Sequence, residues 1–332
     1  MLSISPYRNI LPSTSATLGS YTTDAKGVGV SVSKEHWKAW GQHVAVAAAY
    51  AAFYRIAYEL SVAHWELTVG FRLCCLLLVP MRLWPALALG EFLPVLENAL
   101  ACFDDFGPAW LLAASVPQIV VCMAGMKPLR QWGALRDPDG RIRMSYVITA
   151  ALCCALLSAL RDTASLWIAL MALSKDGSPG PLLSIGFSAY LLGGYLGSLT
   201  LVPTMLALQD RWRATPLVSA VLRNPLLRDM CIGVVPVLVA LTWLANTAEA
   251  PGAQQFARLA MILPMVVMAW RHGWHGTAIA GTGASIALAL TSHIVRDPAV
   301  IYCQIALALV ISAGLMVGGK RSPATHPVLQ EQ

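Results

Sequence analysis

The sequence predicts an all-α, polytopic integral membrane bundle of about ten (8–10) transmembrane helices with both termini in the cytoplasm. Three observations carry that reading. The chain is 57% hydrophobic and only 12% charged, where soluble domains carry about 25% charged residues. Several apolar runs approach or exceed the ~18 residues of a membrane-crossing helix. Most of the basic residues fall in the intervals between those runs, on the side opposite the acidic Asp104-Asp105 loop, as the positive-inside rule requires. The net charge of +6 therefore belongs to cytoplasmic loops, and nucleic acid is not an expected partner. The ~10-residue alternating strands of an outer-membrane barrel are absent.

Residues 1–41 are rich in Ser, Thr and Gly and hold Arg8, Lys26, Lys34 and Lys38. They are expected to form a flexible cytoplasmic tail, with Trp37 and Trp40 at the membrane interface. No apolar core follows a basic start, so no secretory signal is expected. The integral membrane domain is expected over residues 42–319. Its first span runs from His43 to Val62, and a short second run covers Leu67 to Val79 before Pro80. That run is too short to cross unaided. The third span opens at Met81-Arg82-Leu83-Trp84-Pro85 and stops on Asp104-Asp105-Phe106-Gly107-Pro108; the fourth covers Ala109 to Met126. A basic loop, Lys127 to Arg143, turns at Asp137-Pro138-Asp139-Gly140. The fifth span covers Met144 to Leu173 and is interrupted by Arg161-Asp162; the sixth covers Pro181 to Leu208. Further spans fit Cys231 to Ala245, Phe256 to Trp270, Thr277 to Ser292 and Ala299 to Gly318. Residues 320–332 form a short cytoplasmic tail.

The residues of interest are the charges inside these runs. Arg55 and Glu59 lie four apart on one helix face and can pair. Glu66 and Arg72 sit at and just below the outer end of the second span. Glu91 is near mid-depth in the third span, Glu97 is in its outer half, and Arg161 and Asp162 interrupt the fifth. An ionisable side chain facing lipid at a helix centre costs ~2.5–3.5 kcal/mol or more, so such groups turn toward one another or toward water. Their concentration in the outer half of spans one, two, three and five predicts a polar hollow open to the non-cytoplasmic side. Arg55, Glu59, Trp65, Glu66, Arg72, Glu91, Glu97, Arg161 and Asp162 are its candidate ligand-binding residues. The plainer alternative is that they are interhelical pairs that hold the bundle together. Small residues at Ala189, Gly193 and Gly197, and at Gly276, Ala280 and Ala284, predict close helix packing.

No catalytic residue, cofactor or metal is expected. His272-Gly273-Trp274-His275 lacks a third ligand, and Gly281-Thr282-Gly283-Ala284-Ser285 with His293 does not complete a serine-protease arrangement. The eight cysteines, including the vicinal pairs Cys74-Cys75 and Cys153-Cys154, read as small hydrophobes.

Two segments carry a family resemblance. His64-Trp65-Glu66-Leu67-Thr68-Val69-Gly70 precedes Arg82-Leu83-Trp84-Pro85 and Gly90-Glu91-Phe92-Leu93. Later, Leu192-Gly193-Gly194-Tyr195-Leu196-Gly197 precedes Pro203. Together they resemble the first class of membrane-associated sensor domain (MASE), the integral module attached to bacterial histidine kinases and diguanylate cyclases. A related membrane half occurs in a hexose-phosphate sensor kinase that works with a transporter-like receptor. Glu66 stands where the family usually has Pro, and Gly193-Gly194 where an acidic residue is common. Pro85, Gly90, Gly193 and Gly197 are expected helix-packing positions of this chain. The resemblance implies a multi-pass sensor of the bacterial inner membrane, in contact with lipid, and the predicted hollow would take a small polar ligand. Its partner would be a histidine kinase, a diguanylate cyclase or a transporter-like protein. Since residues 320–332 could not hold an output domain, a module standing alone is expected. The alternatives are a small-solute transporter or channel and, further off, an enzyme acting on lipid-linked substrates with Glu91 or Asp104 as base.

Overall fold

The computed structural model describes residues 25–61, 65–173, 180–214, 224–292 and 298–321. Among them the regular structure is helical: α1 (Ala25–Leu60), α2 (Leu67–Leu78), α3 (Trp84–Ala101), α4 (Phe103–Ala114), α5 (Gln118–Trp132), α6 (Met144–Leu173) and α7 (Gly180–Ala214). They are followed by α8 (Pro225–Thr247, with a wider π turn at Met230–Val234), α9 (Pro251–Ala260), α10 (Ile262–Ala289) and α11 (Pro298–Arg321). The described residues fall into two units, divided between residues 42 and 43, and the second carries the groups described below. Helix α1 opens at Ala25, ahead of the boundary expected at residue 42. Residues 1–24 and 322–332, which hold most of both expected tails, lie outside the described residues, as does His293.

Among the described residues, six segments are long and apolar enough to cross a membrane: Phe103–Trp132, Met144–Leu173, Gly180–Asp210, Pro225–Thr247, Pro251–Ala289 and Val300–Lys320. The 39 residues of Pro251–Ala289 would reach ~58 Å as one straight helix, about twice a bilayer's hydrocarbon core. Gly273 breaks the run with φ +62°, a conformation that only glycine adopts without strain. The two apolar runs on either side, Phe256 to Trp270 and Thr277 onward, are thereby separated. Gly107, with φ +76°, divides α4 just before Pro108 in the same way.

Helix α6 packs on α7, α10 on α11, and α2 on α7. Helix α2 has 12 residues, ~18 Å, and so is too short to cross a bilayer. It lies in the protein interior, with Val69, Leu73 and Leu76 fully buried. The non-helical chain before it is tolerated at such depth only where protein satisfies its backbone. Here the Glu66 N–H donates to the Gly193 carbonyl of α7 at 3.0 Å, and the Leu67 N–H donates to Ser61 Oγ at 3.0 Å. Glycine permits this proximity: a Cβ on Gly197 would strike the Glu66 carbonyl, and one on Gly70 would strike the Gly197 carbonyl.

Pro80 follows the last turn of α2, and Pro85 sits in the first turn of α3, where its missing N–H costs nothing. Gly90 lets α3 approach α1, since a Cβ there would meet the Ala47 carbonyl at 2.5 Å and Tyr50 Cβ at 3.1 Å. The contact fixes Tyr50 beside the residue that follows Gly90 in sequence, Glu91.

Candidate functional site

Arg72 of α2 and Glu91 of α3 form an ion pair with 1% and 0% of their side chains exposed. Arg72 Nε donates to both carboxylate oxygens, at 3.0 and 3.1 Å. Two further donors complete the carboxylate's shell. Tyr50 Oη of α1 donates to Oε2 at 2.6 Å, and the Ile119 N–H of α5 donates to Oε1 at 3.1 Å. That amide lies in the first turn of α5, whose cap residue is Pro117 and supplies no side-chain cap. Glu91 therefore caps α5 from another helix, where the helix dipole favours a negative charge. One carboxylate thus ties together α1, α2, α3 and α5.

The guanidinium has more reach than Glu91 uses. Its Nη2 donates to Tyr54 Oη at 3.3 Å, and its carbon lies 5.4 Å from the centre of the Tyr54 ring, a cation–π distance. Its Nη1 points toward Glu66 Oε1 at 3.9 Å, beyond hydrogen-bond range, and has no hydrogen-bond partner although buried. Glu66 in turn accepts from Thr68 Oγ1 at 2.9 Å, and it occupies the cap position at the start of α2. The first turns of α2 and α5 thus each meet a carboxylate. Glu91 is saturated, whereas Glu66 and Arg72 Nη1 keep unused capacity for an acceptor and a donor.

Arg161 and Asp162 of α6 make a second group. Arg161 Nη2 reaches the carbonyls of Ala113, Ala114 and Val116 at 3.3, 2.7 and 2.8 Å, closing the C-terminal end of α4. Arg161 Nη1 donates to Asp162 Oδ1 at 3.2 Å, and Gln118 Nε2 of α5 donates to the same oxygen. Asp162 is within electrostatic range of both Glu66 and Arg72. A third group is more open. Arg55 pairs with Glu97 at 3.1 Å and with Glu59 at 3.9 Å, and all three side chains are exposed. Trp65 is buried, with its Nε1 donating to Thr200 Oγ1 of α7 at 3.1 Å.

Of the nine residues expected to share one hollow, the eight charged ones fall into three groups. Glu66, Arg72 and Glu91 come together, Arg161 and Asp162 lie beside them, and Arg55, Glu59 and Glu97 stand apart on an exposed face. Trp65 holds the chain before α2 against α7. Tyr50, Tyr54, Thr68, Gln118 and the Ile119 N–H belong to the arrangement, and charge alone did not single them out. The four-residue spacing of Tyr50 and Tyr54, on the helix that also carries Arg55, was the available signal. Elsewhere, Asp229 receives Arg271 Nη1 and His272 Nε2, each at 3.0 Å. Among the described residues no group of three or more His, Cys, Asp or Glu is placed to hold a metal ion.

Apolar helices too long for a soluble core, a half-length buried helix and a charged centre shut away from solvent define a multi-pass helical membrane protein. A family model, MASE1, matches residues 42–318, nearly the whole chain, and the protein belongs to that family. MASE1 is a membrane-associated sensor domain, so a membrane sensory role in signal transduction fits this chain. No curated protein and no solved structure matches it.

Proposed function

We propose that the protein senses a small polar ligand at the Glu66–Arg72 edge of the buried centre and passes the change to a partner membrane protein. The observation that carries this reading is the unpartnered Arg72 Nη1 facing Glu66 across 3.9 Å. A ligand oxygen accepting from Nη1, with a neighbouring O–H or N–H donating to Glu66, would satisfy both. Leaving such a buried donor unmade costs ~1–3 kcal/mol, which is the gain available to that ligand. Ligand binding is signalling only if two helix packings bind it differently. The Arg72–Glu91 pair supports this, because anything that draws the guanidinium toward Glu66 weakens its hold on a carboxylate shared by α1, α3 and α5.

The topology that accompanies this proposal has about ten crossings in the bacterial inner membrane. Both termini and the basic loops are cytoplasmic, and the ligand enters from the opposite side. A histidine kinase, a diguanylate cyclase or a transporter-like protein would read the change at the cytoplasmic face.

A thermal-unfolding screen of the detergent-solubilised protein against small carboxylates, phosphates, sugars and amines tests the reading. A solute that stabilises the native protein but neither Glu66→Gln nor Arg72→Lys supports it. Stabilisation that survives both changes places the ligand elsewhere. Proteoliposome uptake of such a solute, abolished by Glu91→Gln, would favour transport instead.

A further inference from the structure

Four residues of the seam between α5 and α6 lie beside the buried centre. Cys122 of α5 and Cys154 of α6 are both fully buried and both free thiols. Their sulfurs lie 3.4 Å apart, with the Cys154 S–H directed at Cys122 Sγ. Cys122 Sγ also lies 3.5 Å from Ser158 Oγ, and its own S–H points at the Cys154 carbonyl at 3.9 Å. The fourth, Cys153, faces Gly125 of α5 closely enough that a Cβ there would meet its sulfur at 3.1 Å. Sequence pairs Cys153 with Cys154, but the fold pairs Cys154 with Cys122.

We propose that Cys122 and Cys154 are a reversible oxidation site, a dithiol that a hydroperoxide converts to a disulfide bridging α5 and α6. The step balances in two parts. The Cys122 sulfur attacks the peroxide O–O bond, giving a sulfenic acid and releasing water, or an alcohol from an organic peroxide. The Cys154 sulfur then displaces the sulfenic oxygen as a second water, forming the S–S bond. The peroxide gains two electrons and the dithiol loses two electrons and two protons.

Geometry chooses the roles. Burial in apolar surroundings slows an isolated thiol, because the thiolate is the nucleophile. Cys122 accepts a hydrogen bond from Cys154 and has the Ser158 hydroxyl beside it as a second donor, and donors to sulfur favour its thiolate, so it is the sulfur best placed to attack. Cys154 is already in contact as the resolving thiol. The sulfurs need to close from 3.4 Å to about 2.05 Å, which side-chain rotation on two packed helices can supply. Hydrogen peroxide is uncharged and little larger than water, as an oxidant for so closed a pair must be. The bridge would clamp α5 one turn from Ile119, whose N–H holds Glu91, and α6 about two turns from Asp162.

The test uses the full-length protein in liposomes, treated with hydrogen peroxide, denatured, alkylated with a mass-tagged maleimide and digested without reductant. The expected result is loss of two of the eight alkylations, a Cys122–Cys154 linked peptide, and recovery of both tags after dithiothreitol. Cys122→Ser should leave Cys154 fully alkylated after peroxide, and Cys74→Ser should leave the linkage unchanged. The proposal is overturned if both thiols keep their tags at peroxide levels that oxidise the exposed Cys231, if Cys122 stops at sulfenic or sulfinic acid, or if Cys154 links to another cysteine. None of these outcomes depends on the ligand-binding reading.

Discussion

Tyr50 Oη lies 2.6 Å from Glu91 Oε2, so a tyrosine of the first helix closes the shell of a carboxylate in the third. The hydrogen bond is charge-assisted and shut away from solvent, with Tyr50 only 3% exposed. Gly90 makes it possible by letting the two backbones meet. The pairing gives α1 a polar anchor in the bundle, deeper than the exposed contact from Arg55 to Glu97.

Tyr50→Phe should destabilise the solubilised protein by about 1–2 kcal/mol, the cost of one hydrogen bond to a charged group. Tyr54→Phe should cost less, because its hydroxyl is one of several partners of the Arg72 guanidinium and lies farther away, at 3.3 Å. Thermal unfolding of both variants in one detergent makes the comparison.

Gly197→Ala and Gly90→Ala should each lower stability by ~1–3 kcal/mol, since each new methyl meets backbone that cannot move aside. Gly252→Ala is the control, with open space at its Cβ, and should be neutral or slightly stabilising through its unfolded chain. Equal effects at all three positions would remove the argument that close backbone approach sets the α1–α3 and α2–α7 contacts.

Arg161→Ala should cost about 1–3 kcal/mol, because three carbonyls at the end of α4 lose their donor together. Arg161→Lys should recover only part of that, since an ammonium lacks the planar fork of donors. Arg55→Ala should change stability by less than about 1 kcal/mol, as expected of an exposed pair. The contrast between two arginines with similar sequence surroundings is the informative result, read by unfolding and by protease resistance of the α4–α6 region.

The helical membrane class was legible because it follows from composition and run length, which need no tertiary information. Glu66, Arg72 and Glu91 were legible only as three of nine candidates, because a charge in an oily run must find a partner. Which partner it finds was not. Arg72 and Glu91 are 19 residues apart across a break at Pro80, and nothing in either run specifies that α2 turns its arginine toward α3. Arg55 and Glu97 carry the same signature of charge in an apolar run, yet the fold leaves them at an exposed face. A polar residue's depth depends on helix tilt and neighbours, which spacing does not encode. Cys122 and Cys154 show the same limit: adjacent positions such as Cys153-Cys154 draw the eye, whereas packing brings together residues from different helices.

The most direct test of the central claim is a double-mutant cycle at Arg72 and Glu91, read by reversible unfolding in mixed micelles. Arg72→Met and Glu91→Leu should each cost about 3–5 kcal/mol by leaving a buried charge unpaired, whereas the double variant should recover much of that loss. Additive losses, or single variants within about 0.5 kcal/mol of the native protein, would contradict the account, because the two charges would then not be holding these helices together.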